Sequence, residues 1–589
     1  MPKAQKVEKP KHFKKTLKIL VSSLKKYGWA ILAAVILSIG AAVVGIFIPR
    51  ILGDMTNIAV STYPEIDFGA IAGKVWLTVG LLLMAGVLSY IEGVILTIVS
   101  ARWTENLRNQ IIDKINRLPI SYFDKHKYGD TLSLMTNDVD VLATSLSQQI
   151  TNLTSHIATL IGVVVMMLTI SVPLSLVAFI TLPISLVVIG KITKFAQKYF
   201  VERQKILGEL DGRIEEDYSG ELVIKANSYE QTAIETFNDV NNELARAAGK
   251  AQFYSTLSFP ATHIITNLIY VAVAALGGVF VVEGKITIGG IQAFIQYVSS
   301  FNHPITEIAQ TMSTMQGMFA SAERVFDFLA EEEEEADPES SLVIEKMRGA
   351  VEFHDVCFSY DKKTPVIKNF SAKIEPGMQV AIVGPTGAGK TTMINLLMRF
   401  YEPDSGYITI DGVPIREMKR ADVRKMFGMV LQDTWLFSGT VEENLRYGRH
   451  AATLEDIKKA SRASNAYHVI EALPKAYKAE ISEDSDNISA GEKQLITIAR
   501  AMVAEPPMMI LDEATSNVDT RTEQLIQESF EKLTKKRTSF VIAHRLSTIR
   551  NSDLILVMKD GNIVEQGNHN ELLKLNGFYA ELYNSQFAG

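Results

Sequence analysis

Six stretches in the first half of this chain are so long and so apolar that few folds can hold them. They lie near 29–52, 71–99, 142–170, 173–196, 256–283 and 287–319. Crossing the hydrocarbon of a bilayer takes about 20 helical residues, and every stretch is long enough. In lipid the backbone N–H and C=O groups must be satisfied within the chain, so such spans are expected to be helices. The candidate outer loops, 53–70, 171–172 and 284–286, contain one basic residue, Lys285. The connections 100–141 and 197–255 contain six and seven Lys/Arg, and the first 26 residues hold nine lysines and one glutamate. Basic residues collect on the cytoplasmic side of a membrane. Both termini and both long connections are therefore expected in the cytoplasm. The connections have helical composition, and two helices of about 20 residues each would reach roughly 30 Å below the bilayer.

The basic tail, 1–28, abuts a span, so attraction to anionic lipid headgroups is favoured over nucleic acid as the reason for its charge. It is too polar for a secretory signal peptide. Within the spans lie Glu92, His156, His263, Asn267, Gln292, Gln296, His303 and Glu307. Ionisable groups are costly against lipid, which makes them candidates for an amphiphilic cavity. The alternative for each is pairing across helices without contact to cargo. Pro49, Pro183, Pro260 and Pro304 stand where they can kink spans. Asn152-Leu-Thr154 fits a glycosylation pattern by chance, since it lies inside a span.

Residues 345–589 read as a soluble α/β domain. Ala330 is followed by five glutamates and Asp337-Pro-Glu-Ser-Ser, expected to be a solvated acidic linker. The net charge of −7 averages opposite local biases and says little about partners. Cys357 is the sole cysteine, which excludes an internal disulfide; a small buried hydrophobe on a strand is the reading preferred to a reactive thiol.

The chemistry begins after the apolar run 380–383. Gly384, Pro385, Thr386, Gly387, Ala388, Gly389, Lys390, Thr391 and Thr392 form G-x-x-x-x-G-K-[ST] before the helix-like 393–400. Glycines let successive N–H groups and a helix N-terminus point at phosphate oxygens, which makes this a nucleoside-triphosphate cradle. Lys390 is expected at the β/γ-phosphates and the Thr391 hydroxyl on Mg²⁺. A second apolar strand, 508–511, ends in Asp512 and Glu513. An aspartate there suits Mg²⁺, and the adjoining carboxylate suits a base that polarises water. A third strand, 539–543, delivers His544. All three motifs sit at carboxyl ends of strands, where open α/β sheets bind ligands.

Asn487-Ile-Ser-Ala-Gly-Glu-Lys-Gln494 lies between these motifs, ahead of an apolar helix. With them, the chain resembles an ATP-binding cassette (ABC) exporter half-transporter over essentially its whole length beyond the tail. The resemblance implies a six-span α-helical transmembrane domain, with helices extended into the cytoplasm, fused to an α/β P-loop nucleotide-binding domain. The domains would be 29–325 and 346–589, joined by the linker 326–345. It further implies that Tyr360 stacks on adenine, that Gln432 senses Mg²⁺ and γ-phosphate, and that Asp512 and Glu513 are the metal aspartate and catalytic glutamate. His544 becomes the switch histidine, and Ser516–Asp519 the segment between the two nucleotide domains. Glu483 would meet the cytoplasmic loops, whose coupling helices lie around Tyr122–Asp138 and Asp211–Ala226. Two such domains are expected to close head to tail on two ATP molecules, with Ser489 and Gly491 of one chain completing the site of the other.

The family signature is usually Leu-Ser-Gly-Gly-Gln, whereas this chain has Ile488-Ser489-Ala490-Gly491-Glu492. Ala490 adds a methyl group, and Glu492 adds negative charge, where a trianionic phosphate would approach. Lys390, Asp512, Glu513 and His544 are all present. The mismatch fits a heterodimer in which this subunit supplies the competent catalytic core and a degenerate signature; a homodimer is the alternative. The expected activity is ATP-driven, Mg²⁺-dependent export of a small amphipathic compound (drug, lipid or peptide) across the inner membrane, with lipid and a second subunit as partners and no nucleic acid. An ATP-gated channel or regulatory receptor using the same cassette is the rival from another class.

Overall fold

The computed structural model describes residues 12–587 apart from 345, 432–433, 483–487, 513–517 and 543–548. It divides into two compact units. One comprises residues up to Asn116 together with Gly129–Glu331; the other comprises Arg117–Tyr128 with Glu332 onward.

The first unit is built from long helices: α1 (Phe13–Leu24), α2 (Gly28–Ser61) and α3 (Phe68–Arg117) come first; after the short α4 (Ile120–Lys125), which belongs to the second unit, follow α5 (Tyr128–Ser133) and α6 (Val139–Ile170). Then come α7 (Val172–Phe179), α8 (Thr181–Ser219), α9 (Glu221–Ala226), α10 (Glu230–Thr256), α11 (Ser258–Val282) and α12 (Ile288–Leu329). Four helical segments are long and apolar enough to span a membrane among the described residues: Phe13–Ser61, Phe68–Arg117, Tyr128–Ile170 and Glu230–Val282. The other two expected spans fall on α7–α8 and on α12. At 1.5 Å per residue, the 42 residues of α12 run for about 63 Å, twice the thickness of a bilayer core. The helices keep large apolar side chains on their outsides, including Phe47, Leu83, Ile161 and Leu268. Water would penalise that surface, so lipid or a partner is its natural surrounding.

Contacts within this unit follow the rules for apolar surroundings, in which close packing replaces the hydrophobic drive. Gly53 and Gly289 bring α2 and α12 so near that a Cβ on Gly289 would lie 1.8 Å from the Gly53 carbonyl oxygen. The Gly289 N–H donates to Asn57 Oδ1 at 2.8 Å, and the buried Tyr297 hydroxyl donates to the Ile46 carbonyl at 2.7 Å. Gln292, one of the cavity candidates, is hydrogen-bonded to Thr56 across the same interface. Of the other polar positions, His156 and His303 face each other with ring centroids 6.0 Å apart, and His303 lies 4.0 Å from Glu307. Glu92 is buried, with no hydrogen-bond partner for Oε1 among the described residues.

The second unit holds a four-stranded antiparallel sheet and a six-stranded, mostly parallel one. The strands and helices run β1 (Val351–Phe358), β2 (Ile367–Ile374), β3 (Gln379–Val383), α13 (Lys390–Leu397), β4 (Ser405–Ile410), β5 (Val413–Pro414), α14 (Arg420–Lys425) and β6 (Phe427–Val430). They continue with β7 (Gly439–Thr440), α15 (Val441–Arg446), α16 (Leu454–Ala463), α17 (Tyr467–Ala472), β8 (Glu480–Ile481), α18 (Ala490–Ala504), β9 (Met508–Asp512) and α19 (Thr520–Thr534). The last elements are β10 (Thr538–Ile542), β11 (Leu554–Lys559), β12 (Asn562–Gly567), α20 (His569–Leu575) and α21 (Phe578–Phe587). The small sheet is ordered β2-β1-β4-β5 and the large one β12-β11-β3-β10-β9-β6. Successive residues of the central strands go to opposite faces, as a two-residue period demands. Val380 and Ile382, Met508 and Ile510, and Phe540 and Ile542 enter one core with α13 and the small sheet. Met509, Leu511 and Val541 enter a second core, with α18 and α19. Burial on both faces explains why these strands read as continuous apolar runs.

Two expectations change here. Cys357 is half-buried rather than buried, because it stands on the small sheet's open side; its Sγ lies 3.2 Å from Asn369 Oδ1. The acidic linker is solvated only in part. Residues 331–333 are exposed, but Glu334 and Asp337 are drawn down onto arginines of this unit.

In the helical unit Asp138 is 1% exposed and takes a two-pronged bond from Arg324, Nε at 3.0 Å and Nη2 at 2.5 Å. Removing one partner of a buried pair leaves an uncompensated charge. Arg324→Ala is expected to destabilise this unit by ~3 kcal/mol, read as a lower midpoint of thermal unfolding in detergent. The double change Asp138→Leu/Arg324→Met should recover most of the loss.

Candidate functional site

Strand register builds the site. On β10, Ile542 lies opposite Ile382 of β3 and opposite Asp512 of β9. The ends of three neighbouring strands are thereby level, and Asp512 stands two strands from the residue preceding Val383. The chain then leaves β3 through Gly384 and turns back into α13 at Lys390. Two glycines are required by this turn. A Cβ on Gly384 would lie 2.3 Å from the Met558 carbonyl oxygen. Gly389 has φ 99°, where L side chains are strained, and its Cβ would lie 2.7 Å from Ile367 Cδ1. Between them Pro385, Thr386 and Gly387 are exposed, while Ala388 is buried and anchors the loop by donating its N–H to the Pro385 carbonyl at 3.2 Å.

Lys390 opens α13, and its ammonium curls over the loop to donate to the carbonyls of Gly384 at 2.7 Å and Pro385 at 3.1 Å. Burial pushes its pKa below the ordinary lysine value, against the opposing pull of the Asp512 charge. That cation therefore sits in a partly desolvated place where an anion would compensate it. Thr391 is exposed at the head of the helix, and Thr392 is buried, with its hydroxyl 3.1 Å from that of Tyr360. Tyr360 is 38% exposed and stands edge-on to Phe358 at 4.9 Å and to Tyr401 at 5.0 Å. The structure thus brings together the loop, Lys390, Thr391, Thr392, Asp512 and Tyr360. Gln432, Glu483, Glu513, Ser516 and His544 lie outside the described residues.

Comparison with known proteins supplies the family. The chain matches the transmembrane region of ABC transporters over residues 31–305 and the ABC transporter family over 367–516. It is 44% identical to a fatty acid ABC transporter ATP-binding/permease protein of Mycobacterium bovis, covering 94% of this chain and 93% of that one. It belongs to the ABC transporter family. This half-transporter is also 42% identical to the ABC transporter ATP-binding protein YfiC of Bacillus subtilis, over 82% of this chain and 80% of that one. With an ATP-dependent lipid A-core flippase of Desulfotalea psychrophila it shares 36% identity, over 85% and 87% of the two chains. Accordingly its helical unit is a membrane-spanning domain, its α/β unit binds ATP, and the chain is an ATPase coupled to transport, working as a dimer of half-transporters.

The signature segment shows what the half-transporter's departures from its family do locally. Ser489 is the N-cap of α18 and forms a capping box with Glu492. The Glu492 carboxylate accepts from both the Ser489 N–H and the Ser489 hydroxyl, each at 2.8 Å. The two donors at this position are thus already occupied from within the helix. Gly491 is locked by neighbours: a Cβ there would lie 2.6 Å from Thr522 Cγ2 and 2.8 Å from Val518 Cγ1. Asp519 caps α19, and backbone N–H bonds from Thr522 and then Arg521 hold its pKa below the usual carboxylate value.

Sequence reasoning missed the residues that flank the loop's helix. Arg399 and Arg420 are nearly fully buried, and Tyr401 is hydrogen-bonded to Asp124. The only signal was an Arg-Phe-Tyr-Glu cluster directly after α13.

The loop's geometry makes Gly389→Ala informative. Strain of ~1–3 kcal/mol at a left-handed position should reappear as weaker binding of a fluorescent ATP analogue, with the protein still folded by circular dichroism. Unchanged affinity would mean that the loop does not need its left-handed turn.

Proposed function

We propose that this half-transporter exports amphipathic, acyl-chain-bearing compounds from the cytoplasm by alternating access, as the catalytically competent half of a heterodimer. The cargo reading rests on the relatives named for fatty acid and lipid A-core and on spans that carry isolated polar groups. The membrane is read as the inner membrane, with both termini cytoplasmic, from the one-sided basic residues.

In the ATP site, Lys390 would bind the β/γ-phosphates, aided by α13 amides at the helix head. Tyr360 would stack on adenine, with its hydroxyl steadied by Thr392. Gly384, Pro385, Thr386, Gly387, Ala388, Gly389, Thr391 and Thr392 would line the phosphates. Thr391, Gln432 and Asp512 are the residues to hold Mg²⁺. The exposed Thr391 hydroxyl and the Asp512 carboxylate at its strand end are hard oxygen donors that suit the ion. Bound there, Mg²⁺ would neutralise charge that builds on the phosphate oxygens. Glu513 would take the proton of the attacking water, while His544 and Gln432 orient the γ-phosphate. These last three are assigned by the family pattern.

The observation that carries the heterodimer reading is the charge of Glu492, which stands at the head of α18 where the usual signature has a neutral glutamine. The Glu492 carboxylate accepts from the Ser489 N–H and hydroxyl, and its negative charge would repel a phosphate brought to Ser489 and Gly491. A partner with an intact signature would restore the site built on this chain's Lys390 and Glu513. Exposed apolar residues Leu222 and Val223 on α9, and Trp435 and Tyr447 in the nucleotide-binding unit, are surfaces such a partner would cover.

Glu513→Gln in the assembled transporter is expected to lower ATP turnover at least ~100-fold, the scale of a lost general base, while nucleotide binding persists; steady-state hydrolysis and equilibrium binding check the two halves. Lys390→Ala should weaken ATP binding by roughly tenfold or more, the worth of a charge-assisted contact. Expressed alone in nanodiscs, the chain should hydrolyse ATP about tenfold more slowly than with a second half-transporter carrying Leu-Ser-Gly-Gly-Gln, if completing the site recovers ~1.4 kcal/mol. Equal rates would point to a homodimer.

A further inference from the structure

Helix α13 starts at the nucleotide loop and ends at Leu397, and the turn that follows is unusually well fixed. Arg399 has φ 53°, its N–H bonds the Leu396 carbonyl at 3.0 Å, and the Phe400 N–H bonds the Asn395 carbonyl at 2.9 Å. This is a helix stop with its last carbonyls satisfied. Movement of α13 therefore moves Arg399–Glu402 with it. From that turn two arms reach segments of the same unit that lead, along the chain, into the membrane helices.

The first arm is Tyr401. Its ring packs edge-on against Phe358 at 5.4 Å and Tyr360 at 5.0 Å. Its hydroxyl donates to Asp124 on α4, and burial followed by that bond pushes the phenol pKa well above the ordinary tyrosine value. The second arm is ionic. Arg399 donates Nε to Glu402 at 2.7 Å and Nη1 to the Met418 carbonyl at 2.6 Å. Arg420 donates to Asp337 at 2.9 Å, to the Glu335 carbonyl at 2.6 Å and to Glu402 at 3.3 Å. Arg424 reaches Glu334 at 3.4 Å and the Arg399 carbonyl at 3.3 Å, and its guanidinium lies over the Phe400 ring. Three guanidinium groups thus meet three carboxylates: Glu334, Asp337 and Glu402. Arg399 and Arg420 are 4% and 8% exposed.

α4 lies in the segment expected as a coupling helix, so its arm is the family's own; we propose that the same Arg399–Glu402 turn also carries movement of the nucleotide loop to the linker 334–337, making that linker a transmission element rather than a tether. A tether has no need of buried counter-charges. Freeing Asp337 would cost the buried Arg420 the shortest of its carboxylate contacts, 2.9 Å against 3.3 Å to Glu402, so the linker follows the turn. Asp124 is bound by Tyr401, whose ring also meets that of Tyr360, so a single turn links the expected adenine stacker to both arms.

The inference rests on the reading of the chain as an ATP-driven transporter, and the test separates the two. The full chain is reconstituted with its partner subunit in nanodiscs, on a Cys357→Ser background. Spin labels at Tyr63→Cys and Val282→Cys in this subunit occupy the expected outer loop and the outer end of α11. Electron-resonance distances are measured with and without ATP, Mg²⁺ and vanadate. With wild-type arms the label separation shifts on trapping. Asp337→Ala and Asp124→Ala are each expected to bind ATP within about twofold of wild type yet to lose at least about half of the shift, the signature of weakened coupling rather than weakened binding. Asp337→Glu should restore it. Should Asp337→Ala fold poorly, Asp337→Asn, which keeps the shape and drops the charge, is expected to lose part of the shift. A full shift in an Asp337 variant that binds ATP normally would overturn the linker's role and leave the transporter reading standing, whatever Asp124→Ala does. No shift with wild-type arms would bring down both.

Discussion

The level carboxyl ends of β3, β9 and β10 are the constraint on which the nucleotide site depends. Parallel pairing puts Ile382, Asp512 and Ile542 side by side. Because alternate residues of these strands are buried in different cores, a slip of one residue would turn each strand's faces over. Register is therefore enforced by packing on both sides of the sheet. The same packing keeps Lys390 and Asp512 close enough for their charges to interact across a partly desolvated gap. The placing of Lys390 near Asp512 is a by-product of core formation, and it needs no separate folding information beyond the glycines that let the loop turn.

At the signature, helix stability and phosphate recognition compete for the same atoms. A Ser with Glu three residues on is a good way to start a helix, since it satisfies amides that have no partner within the first turn. A serine at this position in an ABC transporter is also expected to face a phosphate. In this chain the acceptor is a charged carboxylate that takes both Ser489 donors, so the cap that starts α18 also places a negative charge at the serine.

The membrane unit shows a different economy. Apolar surroundings give helices little reason to associate through area alone, and contacts are made where backbones approach or polar groups find partners. Gly53 and Gly289 do the first, and Tyr297, Asn57 and Gln292 do the second, all on the interface of α2 with α12. Of the polar residues expected to line a cavity, Gln292 thus serves packing between these two helices.

Much of this was written locally. Apolar run lengths announced the spans, because lipid accepts few alternatives to a helix. The loop Gly384–Thr392 announced its chemistry, because a phosphate cradle needs its glycines, lysine and threonine within nine consecutive positions. The capping box was legible too, as Ser489 and Glu492 stand at the spacing of that motif, although the glutamate first drew attention as a charge. What the chain's order hides is pairing at a distance. Tyr401 meets Asp124 across 277 positions, Arg420 meets Asp337 across 83, and Gly289 meets Asn57 across 232. Nothing in an acidic run says whether water or a buried arginine will neutralise it. By itself the sequence determined which segments are apolar enough for lipid and which loop has the pattern of a phosphate cradle, since both follow from neighbours along the chain. Only tertiary structure decided which carboxylates hold the linker and which tyrosine holds α4, since those choices depend on surfaces that exist only once the sheet has folded.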